Sequence, residues 1–165
     1  MRAPYRKPGI YSQMKQDPLV TADKLEELKR KLVRLKNSQP QAASEVSRLA
    51  ELGDFSENTE YQMAKWRLRG INSGILNVQK QIDNAVLIEN TGDNDKVQIG
   101  NTVTVSTSGK TKIFKILGSM ETDPSGGVIS HNSPVGQALM NKHVGDDARL
   151  KMAEKEIVYK IIKIE

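Results

Sequence analysis

Apolar residues recur at helical spacing through the first part of the chain. From Thr21 onward, leucines alternate at steps of three and four with Lys and Glu between them, which predicts a helix with one apolar face. Thr21 suits the N-cap, and Val20 is placed to pack against Leu25 across it. Because Pro40 lacks the N–H that a helix interior needs, we expect a break or kink at 37–40. The leucines of this face are Leu25, Leu28, Leu32 and Leu35.

A second apolar stripe, spaced 3-4-3-4 over three heptads, follows and predicts a coiled-coil seam. Only the turn GDFS separates the two stripes, so the helices must fold back antiparallel. The roughly 28 residues from Glu57 to Asn84 make an arm about 40 Å long. We therefore predict a helical hairpin over 19–90, with its tip at 53–58. The stripe consists of Tyr61, Ala64, Leu68, Ile71, Ile75, Val78 and Ile82.

The apolar period falls towards two after the turn-forming stretch TGDND. Short apolar segments divided by Gly, Asp and Ser predict strands, while Ser133 as a cap and Pro134 behind it predict a short helix ending near Asn141. The fold class is therefore α+β, with the hairpin followed over 91–165 by a small antiparallel sheet domain with one helix. The predicted strand segments are Val103 and Val105, Ile113 to Ile116, Val128 and Ile129, Leu150 and Met152, and Ile157 to Ile164.

Composition narrows the class of protein further. The 165 residues carry a net charge of +5 and no cysteine, which excludes a disulfide framework and a thiolate metal site. No apolar run approaches the roughly 18 residues that span a bilayer, and the start of the chain lacks a secretory apolar region. We expect a cytoplasmic protein that does not enter membranes. Residues 1–18 predict a flexible basic arm, either a solvating tail or a contact for a polyanion.

The hairpin tip concentrates acidic side chains. Asp54 and Glu57 fit a capping box, in which the aspartate caps the second helix and the glutamate reaches back to it. They also suit a hard cation such as Mg²⁺, which is commonly held by one or two carboxylates together with substrate phosphates. Two carboxylates do not close a metal site. They can complete one whose other ligands come from another macromolecule.

Basic side chains follow the tip on the second helix. Lys65 and Arg69 lie four residues apart on one stripe, about 12 and 18 Å from Glu57 by helical rise. They are candidates to hold nucleic-acid phosphates, or they belong to an ordinary solvated face. Arg67 points elsewhere on the helix.

Several of these motifs together resemble the Gre family of bacterial transcript cleavage factors. The similarity rests on LGDFSENTEY, on Pro40 fourteen residues before Asp54, and on the later GGVISHNSPVGQALMNKHVGDDARL, and it extends from Pro18 to the end of the sequence. The resemblance implies that the sheet domain is FKBP-like. It also implies a hairpin that enters the secondary channel of backtracked RNA polymerase and stimulates cleavage of the RNA 3′ segment.

The resemblance also implies roles for individual residues. Asp54 and Glu57 would help to hold a second catalytic Mg²⁺ and position the attacking water, while the polymerase supplies the first metal site. The protein would then be a cofactor of another enzyme, with Mg²⁺ bound only in that complex. Gly53, Ser56 and Asn58 would shape the tip, and Ser130, Asn132 and Pro134 would form the polymerase-docking turn.

The partners expected on this basis are RNA polymerase, the nascent RNA 3′ end and DNA, with the protein itself a monomer. Trp66 lies off the predicted seam. We expect it to pack on the other helical arm, the alternative being a contact with polymerase or RNA.

Three other functions compete with cleavage stimulation. A Gre-like inhibitor would plug the channel without promoting cleavage, but such relatives alter the acidic tip. A prolyl isomerase needs an aromatic pocket, whereas 91–165 contains only Phe114 and Tyr159. A plain coiled-coil interaction protein would not depend on the tip acids. His131 and His143 suit surface or hydrogen-bonding roles better than metal binding.

Overall fold

The computed structural model describes residues 17–51, 59–89, 94–152 and 155–165. They form two compact units. One unit is Val20–Glu89. The other joins residues 17–19 to the described residues from 94 onward. Residues 1–16, most of the predicted basic arm, lie outside the described residues, so the flexible arm stays a prediction.

The first unit is the predicted helical hairpin. Helix α1 spans Ala22–Glu51 and helix α2 spans Thr59–Asp83. The Lys24 N–H donates to the Thr21 side-chain oxygen over 3.2 Å, which confirms the predicted N-cap. Gln39 of α1 donates to Asn72 of α2 over 2.8 Å. Glu45, which lies further along α1, contacts Arg67, which lies earlier on α2. The helices are therefore antiparallel.

The hairpin seam follows the predicted spacing. Every residue of the predicted α2 stripe is buried or half-buried, and the short residues Ala64 and Val78 are the most enclosed. Leu28, Ala42 and Leu49 are the buried residues of α1. Alternating steps of three and four keep these side chains on one stripe, which is why the two helices stay together along their length. Within the described residues, no helix is long and apolar enough to cross a bilayer.

Helix α1 does not break at Pro40, so of the two expectations for 37–40, a break or a kink, the break is wrong. The proline lies inside a continuous helix and its side chain is exposed. It removes one backbone hydrogen bond, but packing against α2 on both sides, at Leu28 and at Ala42 and Leu49, holds the helix through that position. Tertiary contacts therefore override the local signal.

Two short strands close the hairpin at the end away from residues 52–58. Strand β1 is Leu19–Val20 and strand β2 is Val86–Leu87, and they form a two-stranded ribbon. The Ile88 N–H donates to the Val20 carbonyl over 2.9 Å. Val20 is only 1% exposed, so the start of α1 is anchored by apolar burial as well as by backbone pairing.

The second unit is built on a five-stranded sheet in the order β5-β4-β3-β7-β6. Its strands coincide with the predicted apolar segments and confirm the α+β class. Ser108 and Gly109 link β3 to β4 with positive φ angles of 49° and 76°, as a two-residue type I′ hairpin requires. The strands are β3 Thr102–Thr107, β4 Lys110–Leu117, β5 Val128–Ser130, β6 Asp147–Met152 and β7 Lys155–Ile164.

The sheet is mixed rather than wholly antiparallel, which corrects one detail of the prediction. Strand β5 runs parallel to β4, with Lys115 beside Val128. After β4 the chain passes through a 3₁₀ turn at Ser119–Glu121 and reverses again where Asp123 bridges Val128. Two reversals restore the original direction, so the returning strand is parallel.

One face of the sheet carries the core and the predicted short helix. Helix α3 spans Pro134–Leu139, and Gly136 N–H donates to the capping Ser133 hydroxyl over 3.0 Å. The helix ends two residues before the predicted end at Asn141. Phe114 and Tyr159 meet edge to face at 5.9 Å. The core comprises Val97, Val103, Val105, Ile116, Leu139, Ala148, Leu150, Tyr159, Ile161 and Ile164.

Candidate functional site

The predicted acidic tip lies in the link between the two long helices. Helix α1 ends at Glu51 and α2 begins at Thr59, so residues 52–58 join them. All five tip residues fall in this link, outside the described residues, and their roles stay predictions. They are Gly53, Asp54, Ser56, Glu57 and Asn58.

Two predicted basic residues follow on the first turns of α2. The Lys65 ammonium lies 5.1 Å from the centre of the Tyr61 ring, one helical turn earlier. This cation–π contact orients the ammonium while leaving its three N–H donors unused by any carboxylate of the described residues. Arg69 is exposed and likewise has no carboxylate partner among those residues. As far as the described residues go, both cations are available to an anion from outside.

The third basic residue of this stretch is used within the hairpin. The Arg67 guanidinium donates to the Glu45 carboxylate of α1 over 2.8 Å. Arg67 therefore contacts α1, away from the stripe of Lys65 and Arg69. Among the described residues of this stretch, Lys65 and Arg69 are thus the two cations that no carboxylate neutralises.

Trp66 does not pack on the other arm, so that expectation is wrong. Its side chain is 77% exposed, and Met63, one turn earlier, is 59% exposed. Buried Ala64 lies two residues before Trp66, and positions separated by two residues are about 200° apart around the helix axis. The indole therefore points away from α1, on the same side of α2 as Arg69.

The predicted docking turn of the second unit is held by side-chain hydrogen bonds. Ser130 is only 7% exposed; its hydroxyl accepts from the Asn132 N–H over 3.0 Å. The Ser133 hydroxyl donates to the Ser130 carbonyl over 2.6 Å. Asn132 and Pro134 are exposed. Of the three predicted docking residues, two are available for contact and Ser130 shapes the turn.

Asp17 supports this turn through Ser119. Its carboxylate accepts from the Ser119 N–H over 2.7 Å and from the Ser119 hydroxyl over 2.9 Å. The Ser119 and Ser130 hydroxyls are 2.9 Å apart. Burial alone would raise the pKa of Asp17. Hydrogen bonds from the Ser119 and Leu19 N–H groups and the Ser119 hydroxyl outweigh it, and the pKa lies below its usual value.

Sequence reasoning missed Asp17 and Ser119. The two residues are 102 positions apart, so no local spacing connects them. Asp17 followed by Pro18 indicates only a turn or a chain entry, and Ser119 follows a glycine without any motif. Nothing in a single sequence would have paired them.

Each of the two histidines lies close to an oxygen atom of a neighbouring residue. His131 Nδ1 lies 3.4 Å from the Leu117 carbonyl and 3.5 Å from the Asp17 carboxylate. His143 Nδ1 lies 3.5 Å from Asp146. In the part of the chain that the structure describes, no three His, Cys, Asp or Glu residues group to hold a metal ion. A metal bound by this chain would need ligands beyond the described residues.

Comparison with known proteins places both units in one class, the bacterial transcription elongation factors. The model described as "Transcription elongation factor, N-terminal" matches residues 18–87. The model described as "Transcription elongation factor, GreA/GreB, C-term" matches residues 92–165. The chain belongs to the GreA/GreB family of transcription elongation factors.

Individual relatives agree with this assignment. The chain is 37% identical to the transcription elongation factor GreA of Staphylococcus carnosus over 155 residues, covering 92% of this chain and 96% of that one. The GreA of Staphylococcus aureus strain JH9 is also 37% identical over 155 residues, covering 92% and 98%. Among solved structures, the GreA factor homolog 1 of Thermus thermophilus aligns with 22% identity and a TM-score of 0.42, covering 91% and 99%.

Proposed function

We propose that this protein binds backtracked RNA polymerase through the secondary channel and stimulates the polymerase's own Mg²⁺-dependent cleavage of the RNA 3′ segment. Family membership supports this role, because the relatives are named as transcription elongation factors. The observation that carries the proposal is the hairpin, two helices of 30 and 25 residues joined by a link that contains Asp54 and Glu57. Such a hairpin is long and narrow enough to carry two carboxylates into another protein's active site.

The carboxylates of Asp54 and Glu57 fit Mg²⁺ by their chemistry. Hard divalent cations prefer carboxylate oxygens and are often shared with substrate phosphates. When bound, Mg²⁺ would stabilise negative charge on the phosphodiester and favour attack by water. This chain would contribute two oxygen ligands, and the polymerase would supply the rest of the site. In this role it assists an enzyme without being one.

The basic face behind the tip supports a contact with the RNA. Lys65 and Arg69 have no carboxylate partner in the described part of the chain, and Tyr61 holds the Lys65 ammonium in place. Phosphates of the displaced 3′ segment would pair with these two cations. In this proposal the acidic side chains at the tip bind Mg²⁺, and the basic side chains behind it bind the RNA strand.

The second unit would dock on the polymerase through the turn at 130–134. Asn132 and Pro134 are exposed there, while Ser130 holds the turn from beneath. We expect Asn132→Ala to weaken binding to polymerase while leaving the cleavage rate at saturation unchanged. A lower rate at saturating protein would instead place Asn132 in the cleavage step.

The test of the cleavage role uses artificially stalled, backtracked polymerase with Mg²⁺ and labelled RNA. The double variant Asp54→Asn, Glu57→Gln should still bind the polymerase and should slow cleavage by about a hundredfold or more, as loss of a metal ligand implies. The matched control, Glu51→Gln with Glu60→Gln, removes two negative charges beside the link and should leave cleavage near its normal rate.

Two results would contradict the proposal. Full cleavage by the Asp54 and Glu57 double variant would eliminate the role of the tip carboxylates. Binding without any cleavage by the unaltered protein would instead indicate a channel-blocking inhibitor.

A further inference from the structure

Among the described residues of the hairpin, Trp66 has the most exposed large apolar side chain, and the proposed function gives it no role. It is 77% exposed, although burying an indole is strongly favourable and Trp is normally enclosed at least in part. It lies on the outer side of α2, away from the seam with α1. The hairpin therefore does not need this side chain for its own packing.

The surroundings of Trp66 are positively charged. Arg69 lies one turn after it and Lys65 directly before it, and neither has a carboxylate partner among the described residues. From Tyr61 to Ile82 the sequence of α2 contains no Asp or Glu. The flat aromatic surface thus has two cations near it that can pair with an anion.

Space is available beside the indole ring. Gly70 lies four residues after Trp66, hence on the same face, and a Cβ built there would meet nothing within 4 Å. Ser73, one turn further, is exposed and small. No long side chain at these two positions covers the ring, so a planar group can approach it.

We propose that Trp66 is a stacking platform for an unpaired base of single-stranded RNA, whose flanking phosphates are held by Lys65 and Arg69. Exposed aromatic rings beside cations are the usual means of binding single strands without sequence preference. This inference rests on the proposed function for the identity of the strand, the RNA 3′ segment. It adds a positioning residue that holds a base, whereas the cations hold only phosphates.

An RNA strand accounts for these features better than a protein partner. The apolar surface consists of Trp66 and Met63, bordered by Arg69, Gly70 and Ser73. A protein interface needs a broader apolar centre with a polar rim. The single ring has Lys65 and Arg69 along one side of it, four residues apart, which matches one stacked base with its neighbouring phosphates.

The test uses the full-length protein without polymerase, because Trp66 is the only tryptophan and reports on its own contacts. Titration with octauridylate in low salt should quench the tryptophan fluorescence to saturation. An abasic octamer, with the same phosphates and no bases, should bind more weakly and leave the fluorescence unchanged. Octauridylate within a duplex should behave like the abasic strand, because its bases are already stacked.

Variants separate stacking from charge, with binding measured by anisotropy of labelled octauridylate. Trp66→Leu should weaken binding roughly five- to hundredfold, the range expected for one stacked base. Leu76→Ala is the matched control, since Leu76 is 71% exposed on the same helix and should change affinity less than about twofold. Lys65→Ala and Arg69→Ala should each lower the log–log salt slope by about 0.7, whereas Trp66→Leu should not.

Three results would overturn the stacking role: equal affinity for octauridylate and the abasic octamer, unchanged binding by Trp66→Leu, or no saturable quenching. Weaker polymerase binding by Trp66→Leu with unaltered RNA binding would assign the side chain to a protein contact. The Asp54 and Glu57 double variant should bind octauridylate normally. The cleavage assay on this variant therefore tests the proposed function, and its result does not bear on the stacking role of Trp66.

Discussion

Gly136 is a position where the fold should tolerate a methyl group poorly. A Cβ built on this residue of α3 would lie 2.1 Å from the Ser130 carbonyl oxygen and 3.0 Å from the His131 Cα. Both are backbone atoms, so the helix itself would have to move by roughly 1 Å to restore an ordinary contact. That movement would also strain the hydrogen bond from the Gly136 N–H to the Ser133 hydroxyl, 3.0 Å long.

The cost of Gly136→Ala should be about 2–3 kcal/mol, after a gain of roughly 0.5–1 kcal/mol in helix propensity is set against overpacking and the weakened cap. For a unit of this size, urea m-values are near 1 kcal/mol/M, so the midpoint should fall by about 2 M. Amide NMR spectra recorded through a urea titration would report each unit separately. Amide signals from β3 should vanish earlier in this variant.

Gly70→Ala is the matched control, because the same substitution on α2 meets nothing within 4 Å. Its unfolding free energy should rise by about 0.5–1 kcal/mol. Equal midpoints for the two alanine variants, or an unchanged midpoint for Gly136→Ala, would refute the steric reasoning.

Three further predictions concern single contacts. Asp17→Asn should lower stability by about 1–3 kcal/mol at neutral pH, because charge-assisted hydrogen bonds to Ser119 are lost. The folded-state pKa of Asp17 is depressed, so this contribution is present above about pH 4 and disappears as pH falls through the folded pKa. The unfolding free energies of Asp17→Asn and the unaltered protein should therefore converge as the pH falls. A difference that stays constant with pH would contradict the role of the Asp17 carboxylate. Pro40→Ala should stabilise the hairpin by about 1–3 kcal/mol, because alanine restores the backbone hydrogen bond. The helical circular dichroism at 222 nm should then melt at a higher temperature. A lower melting temperature would mean that the proline ring contributes to packing. A double-mutant cycle between Arg67 and Glu45 should give less than about 1 kcal/mol and weaken with salt, because their side chains are 59% and 36% exposed.

The regular parts of both units could be predicted because their patterns are local. The 3-4 spacing on α2 identified buried Ala64 and Val78, and alternation of period two identified β3 and β7. Ser133 followed by Pro134 identified the start of α3. In each case the residues that decide the structure are within a few positions of one another.

The errors arose where distant contacts decide. Pro40 stays inside α1 because residues of α2 hold both sides of it, and no window around the proline contains them. The parallel direction of β5 depends on two chain reversals, of which only the glycine-rich one at 126–127 is visible in sequence. Trp66 is an exception, because its position two residues after buried Ala64 decides its exposure and that spacing is visible in the sequence.

The candidate site divides in the same way. Lys65 and Arg69 were found from helical spacing, and the link from 52 to 58 was identified by motif. The support of the docking turn by Asp17 was not predictable, since it joins residues 102 positions apart. A site assembled by the fold from distant segments leaves little local trace.

The place of β7 in the sheet has a consequence for synthesis on the ribosome. Residues 155–164 form an interior strand between β3 and β6, and the Glu165 carbonyl accepts from the Thr102 N–H over 2.7 Å. The sheet therefore cannot close until these residues have left the exit tunnel, whereas the hairpin needs only neighbouring sequence. During translation, α1 and α2 should be assembled first, while the strands from β3 onward wait with an open edge exposed to chaperones.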